Sequence, residues 1–209
     1  MKKSEVYDKL FGQILSYDEV RRQVIKENGE KMVRLRTDFA GIRTEFEPIA
    51  RESVVKMIVE AERRLPSGLK LQAVNSYRPL AIQKELFEAE MTKYASEIPD
   101  ELERKRFVHK YSIAAPECAG HPTGGAVDVQ IVCDGTPLDF GTEIWTFSKD
   151  TMTFSPFVSE ESQKNRMLLR EIMTGVGFAP FNGEWWHFSY GDQEWAAYYG
   201  KKNAIYGQV

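Results

Sequence analysis

Apolar positions along this chain change period several times, and each change marks an element. Ser16-Tyr17-Asp18-Glu19 has the form of a capping box, and Val20, Val24 and Ile25 follow at helical spacing, which predicts a short helix. "KMVRLR" (31–36) alternates Met32, Arg34 and Arg36 with Val33 and Leu35, the period of a strand. Pro48 is expected to open a helix running to Leu65, with Val54, Val55, Ile58 and Ala61 in one stripe and Pro66-Ser67-Gly68 as its stop. "LKLQAV" (69–74) alternates like a half-buried strand, and Pro79 starts a further helix with Ile82, Leu86, Phe87 and Tyr94 facing inward. "AVDVQIV" (126–132) puts Val127, Val129 and Ile131 on one face, Asp128 and Gln130 on the other. Ser159, Glu160 and Glu161 begin a helix carrying Met167, Leu168 and Ile172, which Gly175 or Gly177 ends. Finally "GFAPF" and "EWWHFSY" read as strands around an Asn182-Gly183 turn. Helices interleaved with hairpin-like strands predict an α+β fold, a central and mainly antiparallel sheet flanked by helices.

Composition adds bounds. The 209 residues (24.0 kDa) carry no repeat, low-complexity tract or linker, so residues 1–209 are expected to form one domain. Hydrophobic residues are 42% and charged residues 28%, the balance of a soluble globular protein. A net charge of −3 and a pI near 5.8 argue against nucleic acid as a partner. Cys118 and Cys133 are too few for a disulfide framework and are read as two thiols. The N-terminal stretch lacks an unbroken apolar core, and no run approaches the roughly 18 apolar residues of a membrane span. The expectation is a cytoplasmic chain with no membrane partner; its oligomeric state is not legible.

The chemistry concentrates in three places. In "GHPTGGAVDV", His121 lies on a loop and Asp128, seven positions on, projects from the strand face opposite the valines. An imidazole and a carboxylate brought together by an intervening glycine turn make a ready pair of zinc ligands, and His187 is the natural third. In "GEWWHF", Glu184 precedes His187 by three residues. Placed where the chain leaves its turn, Glu184 would stand beside a metal-activated water as general base, while Trp185 and Trp186 would wall off solvent. In "NSYRPLAIQ", Arg78 before Pro79 is held extended at a strand-to-helix junction, where its guanidinium would meet a developing oxyanion. Each piece has a plainer reading: a surface histidine and a turn-binding aspartate, an ion pair under a tryptophan lid, a structural arginine. Their joint occurrence favours the catalytic one. Cys118 and His109 are read as structural, His109 on a helix surface, and the aromatic tail after residue 190 as packing.

Taken together these residues resemble the zinc D-Ala-D-Ala dipeptidase family, within the wider D-Ala-D-Ala metallopeptidase, lysostaphin and hedgehog-fold group. The family pattern S-x-H-x-x-G-x-A-x-D is similar to residues 119–128, E-x-W-H to 184–187, and Y-R-P to 77–79. "PLDFGTEI", "NRMLLREIM" and "GVGF" follow in the family's order, so the resemblance spans about residues 69–190, with residues 1–65 much less recognisable. It implies one zinc ion on His121, Asp128 and His187, Glu184 as catalytic base, Arg78 on the transition state, and a small peptide as substrate. Two positions depart: Ala119 replaces the pattern's serine, and Trp145 stands where the dipeptidases carry an acid for the substrate amine. Glu143 or Asp139 is then the candidate for the amine. A D,D-carboxypeptidase acting on peptidoglycan stem peptides is the alternative activity, and a non-catalytic zinc-stabilised binding module is the alternative of another class.

Overall fold

The computed structural model describes residues 2–36, 38–39, 46–146 and 148–209. In chain order the elements are α1 (Lys3–Phe11), α2 (Tyr17–Arg21), β1 (Met32–Arg34), β2 (Asp38–Phe39), β3 (Ile49–Arg51), α3 (Glu52–Arg63), β4 (Leu69–Asn75), α4 (Leu80–Lys93) and α5 (Glu101–Tyr111). They continue with β5 (Ala126–Cys133), β6 (Thr136–Pro137), α6 (Glu160–Gly175), β7 (Ala179–Pro180), β8 (His187–Ser189) and α7 (Gln193–Tyr198). The main sheet runs β2-β4-β5-β8-β7, with β6 also on β5. Among the described strands only β2 on β4 is parallel, so the mainly antiparallel α+β expectation holds. No described helix is long and apolar enough to cross a membrane.

One face of this sheet makes the core. Leu71, Ala73, Val127, Val129 and Ile131 meet the stripe Val54, Val55, Ile58 and Ala61 of α3 and Leu169, Ile172 and Met173 of α6. The alternation read in "AVDVQIV" is the cause, because period two sends the valines to the core and Asp128 to the opposite face. Ser16 and Ser159 cap α2 and α6 through their hydroxyls, as their positions suggest.

Three expectations are corrected. Pro48 does not open a helix: residues 49–51 pair with β1 as β3, and α3 begins at Glu52. Arg51 explains the delay, since its buried guanidinium donates to the carbonyls of Thr123, Glu30 and Gly207 and so ties this segment to distant loops. Trp185 and Trp186 are not a cleft wall. Both are buried in the core, Trp185 stacked on Phe140 at 4.0 Å with its Nε1 donating to Thr142. His109 is not on a surface either. It is buried, accepts from the Ala115 amide at 3.1 Å, and packs edge-on against Tyr17. Both cysteines are free, Cys118 buried and Cys133 exposed.

Burial pushes the His109 imidazole down to about 4, against the opposing pull of Glu117 and Asp18 and with a smaller push from Lys105. The unfolded chain therefore binds this proton more readily, and the stability of the neutral ring is complete above the ordinary histidine range and lost as pH falls from about 6.5 towards 4. The loss should reach on the order of 3 kcal/mol. Urea midpoints measured from pH 7 to pH 4 should show it, and in His109→Gln that part of the slope should vanish. An unchanged slope in the variant would contradict the assignment.

Candidate active site

The site begins with strand register. Asp128 of β5 sits opposite His187 of β8 on one side and Asn75 of β4 on the other. Directly opposed residues in a sheet share a face, so all three side chains project together. The β4 partner is supplied by an irregularity. Ala73 pairs with Val129 and Asn75 with Asp128, so two steps along β4 match one along β5. Such a bulge re-aims side chains, and here it brings Asn75 to the carboxylate. His121 arrives from a single 3₁₀ turn (His121–Thr123) just before β5. Gly124 ends that turn at φ +71°, a conformation that favours glycine, and its N–H donates to the His121 carbonyl. A Cβ on Gly120 would collide with Asp192 and Ala126, so the chain before His121 has room only for glycine.

The resulting cluster is tight. One donor atom from each of His121, Asp128 and His187 lies within 4.8 Å of the others. His187 Nδ1 is 3.0 Å and His121 Nε2 3.4 Å from Asp128 Oδ1. The other oxygen, Oδ2, accepts from Asn75 Nδ2 at 3.0 Å and from Trp145 Nε1 at 3.1 Å. His121 Nδ1 is 2.7 Å from the Ser76 carbonyl. A carbonyl only accepts, so Nδ1 carries the proton and Nε2 keeps its lone pair towards the cluster. Burial raises the Asp128 carboxyl, but the two imidazoles outweigh burial and hold it well below the ordinary carboxylate range. Burial lowers His121. His187 rises to about 10, because Asp128, Glu194 and Glu184 together overcome its burial.

Glu184 and Arg78 line the same cleft, a cavity of about 250 Å³ that also reaches His121, Asp128 and His187. All five expected residues are thus brought together. Glu184 lies in the turn between β7 and β8, before the strand begins, which frees it from the strict alternation that would have turned it away from His187. Burial lifts its carboxyl to about 8. Arg78 is fixed by Gln83 Oε1 at 2.8 Å and lies 5.0 Å over the Phe46 ring. Gln83 is in turn anchored on the Ala114 carbonyl. The apolar walls are Phe46, Trp145 and Phe181 rather than the tryptophan pair.

Neither candidate for the amine is here. Asp139 binds the Gly141 amide and the Ser162 hydroxyl near the start of α6, and Glu143 is exposed. Two acids line the cleft unannounced, Glu90 of α4 and Glu194 of α7; Glu194 is the one beside the cluster, with Oε2 3.9 Å from His187 Nε2 and burial raising its carboxyl to about 7. Its signal was the capping pattern Asp192-Gln193-Glu194-Trp195, in which Asp192 accepts from the Trp195 amide. A helix there returns the chain to the metal-like cluster.

These donors fit a divalent cation. A carboxylate and two imidazoles are zinc ligands in kind and number, and three protein donors rather than four is the count of a catalytic site. Buried acceptors around them, Asn75 Oδ1, Asp192 Oδ2 and Glu194 Oε1, have no hydrogen-bond partner among the described residues. Unused buried acceptors of this kind are what a cation offsets.

A sequence profile for the D-ala-D-ala dipeptidase family of peptidases matches residues 38–204. A D-alanyl-D-alanine dipeptidase of Synechocystis sp. is 29% identical over 195 residues, 77% of this chain and 79% of that one. One of Escherichia coli is 32% identical over 123 residues, 58% of this chain and 55% of that one. Among solved structures, the LdcB LD-carboxypeptidase superposes with a TM-score of 0.48 at 20% identity, covering 82% of this chain and 72% of its own. A VanY D,D-pentapeptidase mutant in complex with Zn(II) gives 0.46 at 15% identity, covering 82% and 88%.

The indole contact on Asp128 yields a prediction. Trp145→Phe keeps a ring against Phe46 but removes the donor, and loss of such an orienting partner typically weakens metal binding about 10- to 100-fold. Chelator competition should show this with little change in melting temperature; unchanged affinity would mean the indole does not set the carboxylate.

Proposed function

The chain belongs to the D-ala-D-ala dipeptidase family of peptidases, and from that premise we propose that it hydrolyses D-Ala-D-Ala or a similar short D-amino-acid-containing peptide at this cleft. One zinc ion would be held by His121, Asp128 and His187. When bound, it supplies Lewis-acid activation of water and of the scissile carbonyl. The observation that carries the reading is the meeting of these three donors with Glu184 and Arg78 in one cavity.

The protein's own groups then divide the work. The Glu184 carboxylate accepts no side-chain or backbone hydrogen bond among the described residues, its main chain alone being paired with His187 and Phe181, so its oxygens are available to a water in the cleft. A carboxyl lifted to about 8 by burial is matched to proton exchange near neutral pH. Glu184 takes the proton of the attacking water and returns it to the leaving amine. Arg78, immobilised by Gln83 and Phe46, is pre-aimed at the carbonyl oxygen as its charge develops. Asn75 and Trp145 hold one oxygen of Asp128 and leave the other to the imidazoles. The reading also takes residues 1–209 as one domain, since Phe46 from the less recognisable N-terminal part lines the cleft.

Beyond the cluster the cleft continues along α4 past Leu86 to Glu90, which keeps a D,D-carboxypeptidase in contention. Turnover of D-Ala-D-Ala against an N-acylated tripeptide ending in D-Ala-D-Ala separates the two, because a dipeptidase requires the free amine. Glu184→Ala should keep its full complement of metal and lose about 10²–10⁴-fold in kcat. Near-normal turnover by the pure variant would end the assignment of Glu184.

A further inference from the structure

With its carboxylate left to solvent in the cleft, Glu184 is aimed by the main chain on either side of it. One residue grips that main chain. Thr151 closes the 3₁₀ turn Lys149–Thr151 and is buried. Its carbonyl accepts from the Trp185 amide at 3.1 Å. Its hydroxyl lies 2.6 Å from the Ser148 carbonyl and 3.1 Å from the Gly183 carbonyl, so the one hydroxyl proton is shared between the two. The groups that Thr151 engages across the turn thus belong to the residues immediately before and after Glu184. One step further out, the Thr153 amide donates to the Asn182 carbonyl at 3.1 Å. Residues 151–153 therefore lie along residues 182–185 as a splint.

Thr151 is itself bracketed in the same way. Arg166 of α6, fully buried, donates from Nη1 to the carbonyls of Asp150 at 2.8 Å and Met152 at 2.9 Å, the residues on either side of Thr151. Its Nε holds the Phe140 carbonyl at 2.8 Å. The same helix packs through Leu169, Ile172 and Met173 on the core face of the sheet, whose other face carries Asp128 and His187. α6 is therefore a common reference for the three cation donors and for the turn that bears Glu184.

We propose that Thr151 is the positioning residue for Glu184, its hydroxyl and carbonyl fixing the turn that points the carboxylate at the attacking water. The proposal rests on the reading of Glu184 as the base of the reaction. Thr151 does not line the main cleft, so it acts through Glu184 and not on the substrate. A misplacement of about 1 Å in a group that moves a proton costs up to about 100-fold in rate. Such a loss falls on the chemical step and leaves ground-state binding as it was.

The test measures D-Ala-D-Ala turnover by the zinc-loaded wild type, Thr151→Val and Thr151→Ser, and by Glu184→Ala with and without Thr151→Val. Valine keeps the shape of the side chain and removes the hydroxyl; serine keeps the hydroxyl. Thr151→Val should lower kcat about tenfold, with KM and zinc affinity in chelator competition nearly unchanged, and Thr151→Ser should recover most of the rate. On the Glu184→Ala background the valine change should cost nothing further, because the group it positions is gone. An unchanged kcat in Thr151→Val overturns the role of Thr151 and leaves the peptidase reading standing. So does a valine variant that loses zinc affinity or its melting transition along with rate, or one that costs as much again without Glu184. A zinc-loaded wild type inert on D-Ala-D-Ala and on the N-acylated tripeptide overturns the two together.

Discussion

The pairing of three strands at one level governs this structure. Asp128 on β5 faces His187 on β8 and Asn75 on β4, so a carboxylate, an imidazole and a carboxamide emerge side by side from the face opposite the core. A one-residue slip in either pairing would send these groups into the hydrophobic layer and bring valines out. The core therefore enforces the site: Val127 and Val129 stay buried only in the register that exposes Asp128 to the histidines. Among the described strand pairs the bulge after Ala73 is the one departure from regular pairing. Without it the partner of Asp128 would be Val74, and the carboxylate would lose the Asn75 amide that fixes one of its oxygens.

Electrostatics follows from this placement. Asp128, Glu184 and Glu194 converge on two imidazoles in a buried pocket, and each carboxylate there is desolvated. Such an arrangement is stable only with positive charge at its centre. Without an ion, His187 takes that part by holding its proton up to about 10. An ion bound by the same donors would displace that proton and take over its charge, which couples binding to proton release. Arg78 lies at the edge of this field as the one guanidinium that lines the main cleft among the described residues.

The legible part of all this was local. Period-two runs mark β4 and β5, caps mark α2 and α6, and the short segments around His121 and Glu184-His187 hold residues that the fold brings into one cleft. What stayed hidden depends on contacts between distant segments. Arg51 holds residues 49–51 extended by binding three remote carbonyls, which no helical pattern foretells. Trp185 and Trp186 face the core because their turn packs on Phe140 rather than over the cleft. Glu194 reaches His187 only because α7 folds back, and Trp145 meets Asp128 from a loop with no periodicity to read. His109 looked solvated within a charged helix, yet its face of α5 is the one that α2 and Cys118 cover.

The central claim is that three separated side chains form one cation site. X-ray absorption at the zinc edge, on the purified wild type and on Asp128→Ala, tests it most directly. The account predicts one zinc per wild-type chain bound by two imidazole nitrogens and a carboxylate oxygen, and loss of that signature in the variant. A wild type without stoichiometric zinc, or a zinc shell containing the Cys118 sulfur that survives in Asp128→Ala, would contradict it.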